Sequence, residues 1–506
     1  MKKTTVTLLL FCLFSTILTS QASLTYADGE LLVMFSSNAT NQDIAQIMND
    51  FSATEVAMTP DLEVRKWQIG PFPIVIDPNT TVYNTVQALG VLLGHANVDG
   101  AGLNYSLAAS PDNTSLRSPM DPKDYNPLDD CVDYPGSLYY ASGSSEIDIA
   151  IIDTGVDLAS HTDWFGELIE TTHNFITNGT DVSDDNGHGT RTAGIIAGMI
   201  QTADIPNAKL HIYKALDASG NGSLYNCIQA VDDCVNKKID IVNVSWGYFT
   251  DTDDNNSPFL SDVFHKAASQ GTMIIASAGN DGLELLQNQY MPGSLGANSG
   301  LITVAATECD GNLASFSNYS MTNVDIGAPG VHIACPNAGG DWVHVDGTSY
   351  AAPIVTGIAV QLASTMNAFD PIDLEQVIFN NSVEIPAMVG YVETGSVASI
   401  SKEDESIKGL NKGSGNSIHS DYIELEVEIA PNPFEQSFQL NIQSQEEKVA
   451  NLRIVNTLGQ TVFQQNISLQ EGDNLLPVQP NLTGGMYHLI LEMEDERVIR
   501  NLFRSY

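Results

Sequence analysis

The sequence predicts an α/β protein at its centre, a parallel sheet with helices on both faces, preceded by a small α+β unit and followed by a β-sandwich. Three observations carry this expectation. Between about Glu146 and Ile400, short β-branched runs alternate with helix-like runs, the pattern of parallel strands joined by covering helices. Ahead of Ser110, the extended apolar segment Glu30-Leu31-Leu32-Val33-Met34-Phe35 opens a stretch of ordinary globular composition. Beyond Ile423 the pattern becomes alternating strands, Phe438–Ile442, Leu452–Val455, Thr461–Gln464 and Met486–Leu491, with the turn Thr457-Leu458-Gly459-Gln460 joining the middle pair.

A chain of 506 residues exceeds the usual size of one domain, about 150 residues, so several units are expected. Hydrophobic residues at 43% against charged residues at 16% indicate a globular chain rather than a disordered one. Twenty Lys and Arg against 62 Asp and Glu leave a net charge of −42, which repels nucleic acid and anionic lipid surfaces. Nucleic-acid readers are thereby excluded, and the charge names neither fold nor substrate.

Met1-Lys2-Lys3 followed by the apolar run Val6–Leu18 is too short to span a bilayer, and small residues offer cleavage after Ala22 or after Ala27. Residues 1–27 therefore read as a secretory signal peptide, and no later stretch is long and apolar enough for a transmembrane helix. Of the six cysteines, Cys12 leaves with the signal, and an odd number remains. Cys227 and Cys234 fall on one expected helix, separated by about 10 Å along its axis, too far to bond. Cys309 with Cys335 stays open, no spacing matches a zinc site, and buried small apolar side chains account for the cysteines equally well.

The divisions follow composition. Residues 28–110 form the first unit, and Ser110–Asp133, rich in Pro, Asp, Asn and Ser, reads as a connection. Residues 120–400 form the middle unit, with strands expected at Ile147–Ile152, Leu210–Lys214, Ile239–Val244, Met273–Ala276 and Leu301–Ala305. Residues 401–422, containing Lys402-Glu403-Asp404-Glu405 and Lys412-Gly413-Ser414-Gly415, read as a flexible linker, and 423–506 form the last unit.

Three segments of the middle unit carry catalytic residue types. Ile149-Ala150-Ile151-Ile152-Asp153 is an apolar strand ending in a carboxylate, where parallel sheets place functional groups. In Asp185-Asn186-Gly187-His188-Gly189-Thr190, glycines flank a histidine at the start of a helix, a natural general base. Asp346-Gly347-Thr348-Ser349-Tyr350-Ala351-Ala352-Pro353 puts a serine near the N-terminus of the helix running on to Met366. A serine hydroxyl attacks a carbonyl when a neighbouring imidazole takes its proton, and a buried carboxylate fixes the imidazole tautomer. A fourth segment, Ser277-Ala278-Gly279-Asn280-Asp281-Gly282, puts the Asn280 amide at another strand end, able to donate to an oxyanion together with the Ser349 N–H.

The chain order Asp153, His188, Ser349 is the order found in subtilisin rather than in chymotrypsin or the α/β-hydrolases. With Asn280 in Ala-Gly-Asn-Asp-Gly and with Asn243-Val244-Ser245-Trp246-Gly247, the middle unit resembles the subtilisin-like serine peptidases from about residue 120 to 395. The resemblance implies a subtilisin-like fold and a secreted endopeptidase with a triad of Asp153, His188 and Ser349. It also implies Asn280 in the oxyanion hole and Ser245, Trp246 and Gly247 as a cleft wall that holds substrate as an added strand. By the same likeness the first unit is an inhibitory propeptide. The last unit resembles the sorting domain of the type IX secretion route of Bacteroidetes, on Ala430-Pro431-Asn432-Pro433-Phe434, Asn456-Thr457-Leu458-Gly459 and Gly484-Gly485-Met486-Tyr487, although Arg504-Ser505-Tyr506 stands where a lysine-rich end is usual.

The expected partners are protein or peptide substrates, the chain's own propeptide and the type IX machinery, with the enzyme acting as a monomer. Its location is outside the cell or on the cell surface, reached through the periplasm. Arg191, where many relatives have a second histidine, together with Asp184-Asp185 resembles the kexin branch, but no side-chain specificity is assigned. No cofactor is required, and calcium stays open as a structural ion without an assigned site. Asp251-Thr252-Asp253-Asp254-Asn255 with Asp262 departs from a calcium loop at Asn256 and Asp262, and Ser257-Pro258 reads instead as a helix start. The competing reading is a peptidase scaffold that has lost activity and serves as an adhesion or binding protein. The presence of Asp153, His188, Asn280 and Ser349 together weighs against it.

Overall fold

The computed structural model describes residues 26–504, apart from 78–79, 110–112, 118–124, 128–133, 136–142, 251–255, 287, 297–299, 367–368, 401–426, 431–436, 445–447, 457–460, 471, 481, 483–484 and 493–496. Most of the expected signal peptide, the whole of the linker, the Thr457–Gln460 turn and the Asp251–Asn255 segment thus lie outside the described residues.

The middle unit is built on a nine-stranded sheet. Across the sheet the strands run Val383–Glu384, Ser396–Val397, Ile326–Pro329, Leu301–Thr307, Met273–Ser277, Ile241–Val244, Ile147–Asp153, Ala208–Lys214 and Ile169–Asn174. All neighbouring pairs are parallel except the first, an edge pair in which Val383 faces Val397. The five strands expected from β-branched runs are present. Ile169–Asn174 holds the β-branched Ile169, Thr171 and Thr172, which the sequence reading passed over, whereas Ile326–Pro329 lacks such a run and tertiary pairing makes it a strand.

Alternation along the central strand divides the core. Ile147, Ile149 and Ile151 pack with helices His188–Thr202 and Thr348–Thr365 on one face. Ala150 and Ile152 pack on the other face with helices Leu224–Lys237 and Asn256–Ser269. Because both faces are covered, the strands are apolar at nearly every position, as buried parallel strands must be.

The first unit is continuous with that second core. Its antiparallel strands Thr54–Met58, Arg65–Gln68, Tyr26–Phe35 and Val98–Ala108 form a sheet extended by Asn221–Ser223 of the middle unit. Leu31, Leu32, Trp67 and Leu103 share one buried cluster with Tyr225, Phe259 and Phe264. The strand opens at Tyr26, ahead of the boundary drawn after residue 27, and Tyr26 pairs with Tyr105. Polar contacts complete the junction. The Asp232 carboxylate accepts from the backbone N–H groups of Asp61 (3.0 Å) and Leu62 (2.6 Å), Asn104 Oδ1 accepts from the Tyr225 N–H, and Tyr105 stacks on Tyr248.

Two expectations are corrected here. The stretch from Ser110, read as a connection, contains the strand Asn113–Arg117, paired antiparallel with Trp342–Asp346. Its side chains carry no apolar alternation, so only backbone pairing makes it a strand. The helix expected to open at Ser257-Pro258 begins at Asn256, and Asp262 lies along it beside Asp99 and Gly100 of the first unit.

Cys227, Cys234 and Cys335 are buried thiols, whereas Cys309 is disulfide-bonded, which excludes a Cys309–Cys335 bond. In the last unit, Val427–Ala430, Phe438–Ser444 and Gly472–Val478 form one antiparallel sheet. Thr461–Leu469, Lys448–Asn456, Gly485–Glu492 and Arg497–Arg504 form a second. Phe438, Leu440 and Ile442 of the first share one core with Leu452, Ile454 and Leu489 of the second. Among the described residues no helix is long and apolar enough to cross a membrane.

One packing choice has a pH cost. Glu375, on helix Pro371–Asn381, is pushed up to about 7 by burial and by the charge of Glu393. Glu393 is itself raised by burial, and a hydrogen bond to Asp325 offsets part of that rise. A carboxyl raised on folding contributes stability that is complete below its unfolded value and is lost as pH rises through about 7. Glu375→Gln, made on a Ser349→Ala background to suppress self-digestion, is expected to remove a loss of about 1–2 kcal/mol between pH 4.5 and 7.5. Denaturant unfolding across that range checks it, and an unchanged slope against pH would refute the assignment.

Candidate active site

The structure brings Asp153 and His188 into direct contact, sets Asn280 against Thr348 beside Ser349, and bonds the Ser349 hydroxyl to the Ser245 carbonyl. Asp153 closes the strand Ile147–Asp153, where it is 1% exposed, and His188 opens the helix His188–Thr202 at the same exposure. His188 Nδ1 lies 2.8 and 2.9 Å from the two Asp153 carboxylate oxygens. The bond fixes the ring, leaving Nε2 as the face available for proton transfer.

Several neighbours hold this pair. Asp184 accepts from the backbone N–H groups of Asn186, Gly187 and Thr190 and from the hydroxyls of Thr154 and Thr190, tying the helix start to the strand end. Lys214 donates to the Thr154 carbonyl and to Asp185. Helix and strand approach so closely that a β-carbon on Gly189 would lie 2.2 Å from the Gly155 carbonyl oxygen. Only glycine fits there.

Ser349 is the second residue of helix Thr348–Thr365 and is 1% exposed. Its hydroxyl donates to the Ser245 carbonyl at 3.3 Å, and its own carbonyl accepts from Ser245 Oγ at 3.0 Å. The second bond has a local cause. Pro353, inside the helix, has no N–H to offer the carbonyl four residues back, so the Ser349 carbonyl takes a side-chain donor instead. Asn243 steadies that donor from strand Ile241–Val244.

Asn280 lies in the loop after strand Met273–Ser277. Its Oδ1 accepts from the Thr348 N–H at 2.9 Å and from Thr348 Oγ1 at 2.8 Å, which directs Nδ2 away from them. A β-carbon on Gly347 would come within 3.2 Å of that nitrogen, so the amide lies against the serine turn.

The wall residues behave differently from one another. Gly247 exchanges backbone hydrogen bonds with Ala108, 3.1 Å in one direction and 3.2 Å in the other, and a β-carbon on it would strike the Tyr290 ring at 2.3 Å. Ser245 holds the serine turn, whereas the Trp246 side chain is buried in the second core. Arg191 is also buried, its guanidinium donating to the Tyr350 hydroxyl (3.0 Å) and to Asn337 Oδ1 (2.6 Å). Its charge is therefore committed to structure. Asp281 is an exposed loop residue. No cluster of three or more His, Cys, Asp or Glu side chains able to hold a metal occurs among the described residues.

Sequence reasoning assigned no role to Thr348, Lys214 or Tyr350. No sequence signal marks Lys214 or Thr348 as partners of distant loops. Tyr350 directly follows Ser349, and its ring lies tilted against His188 at 5.7 Å.

A buried carboxylate–imidazole pair and a serine at a helix start, both in a unit built on a largely parallel sheet, are the residue types that serine hydrolase chemistry uses. Residues 144–416 match the family model described as the subtilase family, and this chain belongs to that family of serine proteinases. Residues 428–503 match the model of a secretion system C-terminal sorting domain, so the protein is exported to the cell exterior or surface. The chain is 30% identical over 381 residues to a thermophilic serine proteinase of Bacillus sp. (strain AK1), covering 74% of this chain and 87% of that protein. It is 32% identical over 234 residues to a thermostable alkaline protease of Halalkalibacterium halodurans, covering 46% of this chain and 60% of the relative. The solved epidermin leader peptide processing serine protease of Staphylococcus aureus shares the fold, with a TM-score of 0.55 at 17% identity over 77% of this chain and all of that one.

Asp184 joins strand end to helix start through five hydrogen bonds. Asp184→Ala on the Ser349→Ala background is expected to lower unfolding free energy by about 2–4 kcal/mol. Equilibrium denaturation checks this, and a change under 0.5 kcal/mol, the scale of an ordinary surface substitution, would refute it.

Proposed function

We propose that the chain is a secreted serine endopeptidase made as a zymogen, with Ser349 as nucleophile, His188 as general base and acid, and Asp153 as the group that orients the imidazole. His188 takes the Ser349 proton as the hydroxyl attacks a peptide carbonyl, then gives it to the leaving amine. An acyl-enzyme on Ser349 remains, and water deprotonated by His188 hydrolyses it. The developing oxyanion is met by the Asn280 amide and the Ser349 N–H at the positive end of the helix Thr348–Thr365. The observation that carries this reading is the pairing of buried Asp153 with His188 on a sheet edge that also holds the serine turn.

The first unit acts as propeptide and inhibitor. Its last strand lies along the cleft wall, with Leu107 opposite Gly222 and Ala108 bonded to Gly247, in the position of an extended substrate. Asn113 is opposite Asp346, three residues before Ser349, and four positions separate it from Ala109 at the end of the first pairing. The maturation cut falls in that interval. The last unit is a β-sandwich delivering the enzyme to the type IX machinery, supported by two sheets sharing one core. The chemistry needs no cofactor, calcium at most stabilises structure, and the enzyme works as a monomer on proteins or peptides.

Intact mass and N-terminal sequencing of purified protein, followed by fluorophosphonate labelling, test the reading. The wild type is expected to lose the first unit, begin between Ser110 and Asn113 and label, whereas Ser349→Ala stays full length and silent. If both stay intact and unlabelled even after limited trypsin treatment, the inactive-scaffold reading takes its place. In subtilisin, losing the equivalent oxyanion amide costs about 10² to 10³ in turnover. Asn280→Ala is expected to lower kcat by a similar factor and change KM far less, and an unchanged kcat would remove the residue from that role.

A further inference from the structure

Two loops that flank the serine turn leave neighbouring strands, and both are tied to that turn. Strands Ile241–Val244 and Met273–Ser277 pair in parallel, so the chain emerges side by side from their C-terminal ends as Ser245-Trp246-Gly247 and Ala278-Gly279-Asn280. The Ser245 carbonyl accepts from the Ser349 hydroxyl, the Gly279 N–H donates to Thr348 Oγ1 at 3.1 Å, and Asn280 Oδ1 accepts from the Thr348 N–H. The space between the two loops therefore opens beside Ser349.

Tyr290 occupies that space. A β-carbon on Gly247 would lie 2.3 Å from Tyr290 Cζ and 2.5 Å from both Cε1 and Oη, and one on Gly279 would lie 2.9 Å from Cε1 and 3.0 Å from Cδ1. One edge of the ring thus rests against both glycines, one on each loop. The ring is buried and shares an apolar cluster with Ala278 and Leu285. Its own segment holds it there. Tyr290 faces Phe249 in a short antiparallel pair, and the two rings meet edge to face at 5.1 Å. The Tyr290 N–H donates to Ser294 Oγ at 2.9 Å, and its carbonyl accepts from the Ser294 N–H at 2.7 Å.

A carbonyl attacked by Ser349, with its oxygen toward the Asn280 amide, belongs to a residue standing between these two loops, and its side chain is directed to the space that the ring fills. We propose that Tyr290 is a specificity-determining residue: it closes this space to side chains larger than those of alanine or serine, so the substrates are protein segments with Gly, Ala or Ser on the acyl side of the cleaved bond. The proposal rests on the peptidase reading of Ser349. A larger side chain meets a packed ring rather than a cavity, and displacing that ring disrupts the contacts with Phe249 and the buried cluster. Selection therefore acts by repulsion rather than by added attraction.

Quenched-fluorescence peptides that differ only in the residue whose carbonyl is attacked, Gly, Ala, Leu, Phe or Lys, test this on the matured enzyme and on its Tyr290→Ala, Tyr290→Leu and Tyr290→Phe variants. Mass spectrometry of the products fixes the bond cut, and fluorophosphonate labelling counts the active sites, which separates the two hypotheses. In the wild type and in Tyr290→Phe, which keeps the ring, kcat/KM per labelled site is expected to be at least tenfold higher for the Ala peptide than for the Leu, Phe or Lys peptide. Tyr290→Ala is expected to lower the Ala-to-Phe ratio at least tenfold, and Tyr290→Leu serves where the alanine variant does not label. A wild-type ratio below tenfold, or a ratio that stays unchanged in whichever of these two variants labels, would overturn the role of Tyr290 and leave the peptidase intact. If neither variant labels, the wild-type ratio decides by itself. Absence of labelling in the wild type would overturn both.

Discussion

The contact between Asp153 and His188 is the constraint on which the rest of the middle unit depends. A carboxylate that is 1% exposed is costly to bury unless it is fully hydrogen-bonded. The fold meets that need with the imidazole and with the Thr154 N–H. To bring the ring there, the helix His188–Thr202 must start against the strand end, which explains the glycine at 189 and the many bonds on Asp184. Once that helix is seated, its apolar face packs with the helix that carries Ser349 in the same core, so His188 and Ser349 sit on elements of one packed frame. Catalytic geometry and hydrophobic packing are thus one problem solved together.

The other face of the sheet carries a different task. Helices Leu224–Lys237 and Asn256–Ser269 bury one side against the strands and the other against the first unit, whose apolar residues join the same cluster. The two units therefore dock through a continuous core, reinforced by Asp232, Asn104 and the Tyr105–Tyr248 stack, which adds about 0.5–1.5 kcal/mol beyond its buried area. That docking aims the strand Val98–Ala108 along the cleft wall. Binding strength lies in the distant interface, whereas the cleft contacts are mainly backbone.

Backbone pairing with the first unit also explains which residues must be small. Gly247 leaves its N–H and carbonyl to a neighbouring strand, with Tyr290 filling the space behind it. Arg191, which by sequence resembles the kexin branch without an assigned specificity, is bonded to Tyr350 and Asn337 beside the serine turn. Its long side chain fills a buried position with the help of these two hydrogen bonds, from Nε and Nη1.

The sequence by itself determined the α/β alternation, the five central strands, the residue types at Asp153, His188, Asn280 and Ser349, and the glycines and proline around them. These signals are local: a strand run, a turn residue and a helix start each depend on near neighbours. The tertiary structure alone decided what those segments touch. The strands Ile326–Pro329 and Asn113–Arg117 exist because a partner edge pairs with them, not because their residues prefer extension. Thr348, Lys214 and Asp184 matter through bonds to loops far away in sequence, and no spacing encodes such bonds. The merging of the first unit's core with the second face of the sheet likewise depends on complementary surfaces, which exist only once both units have folded.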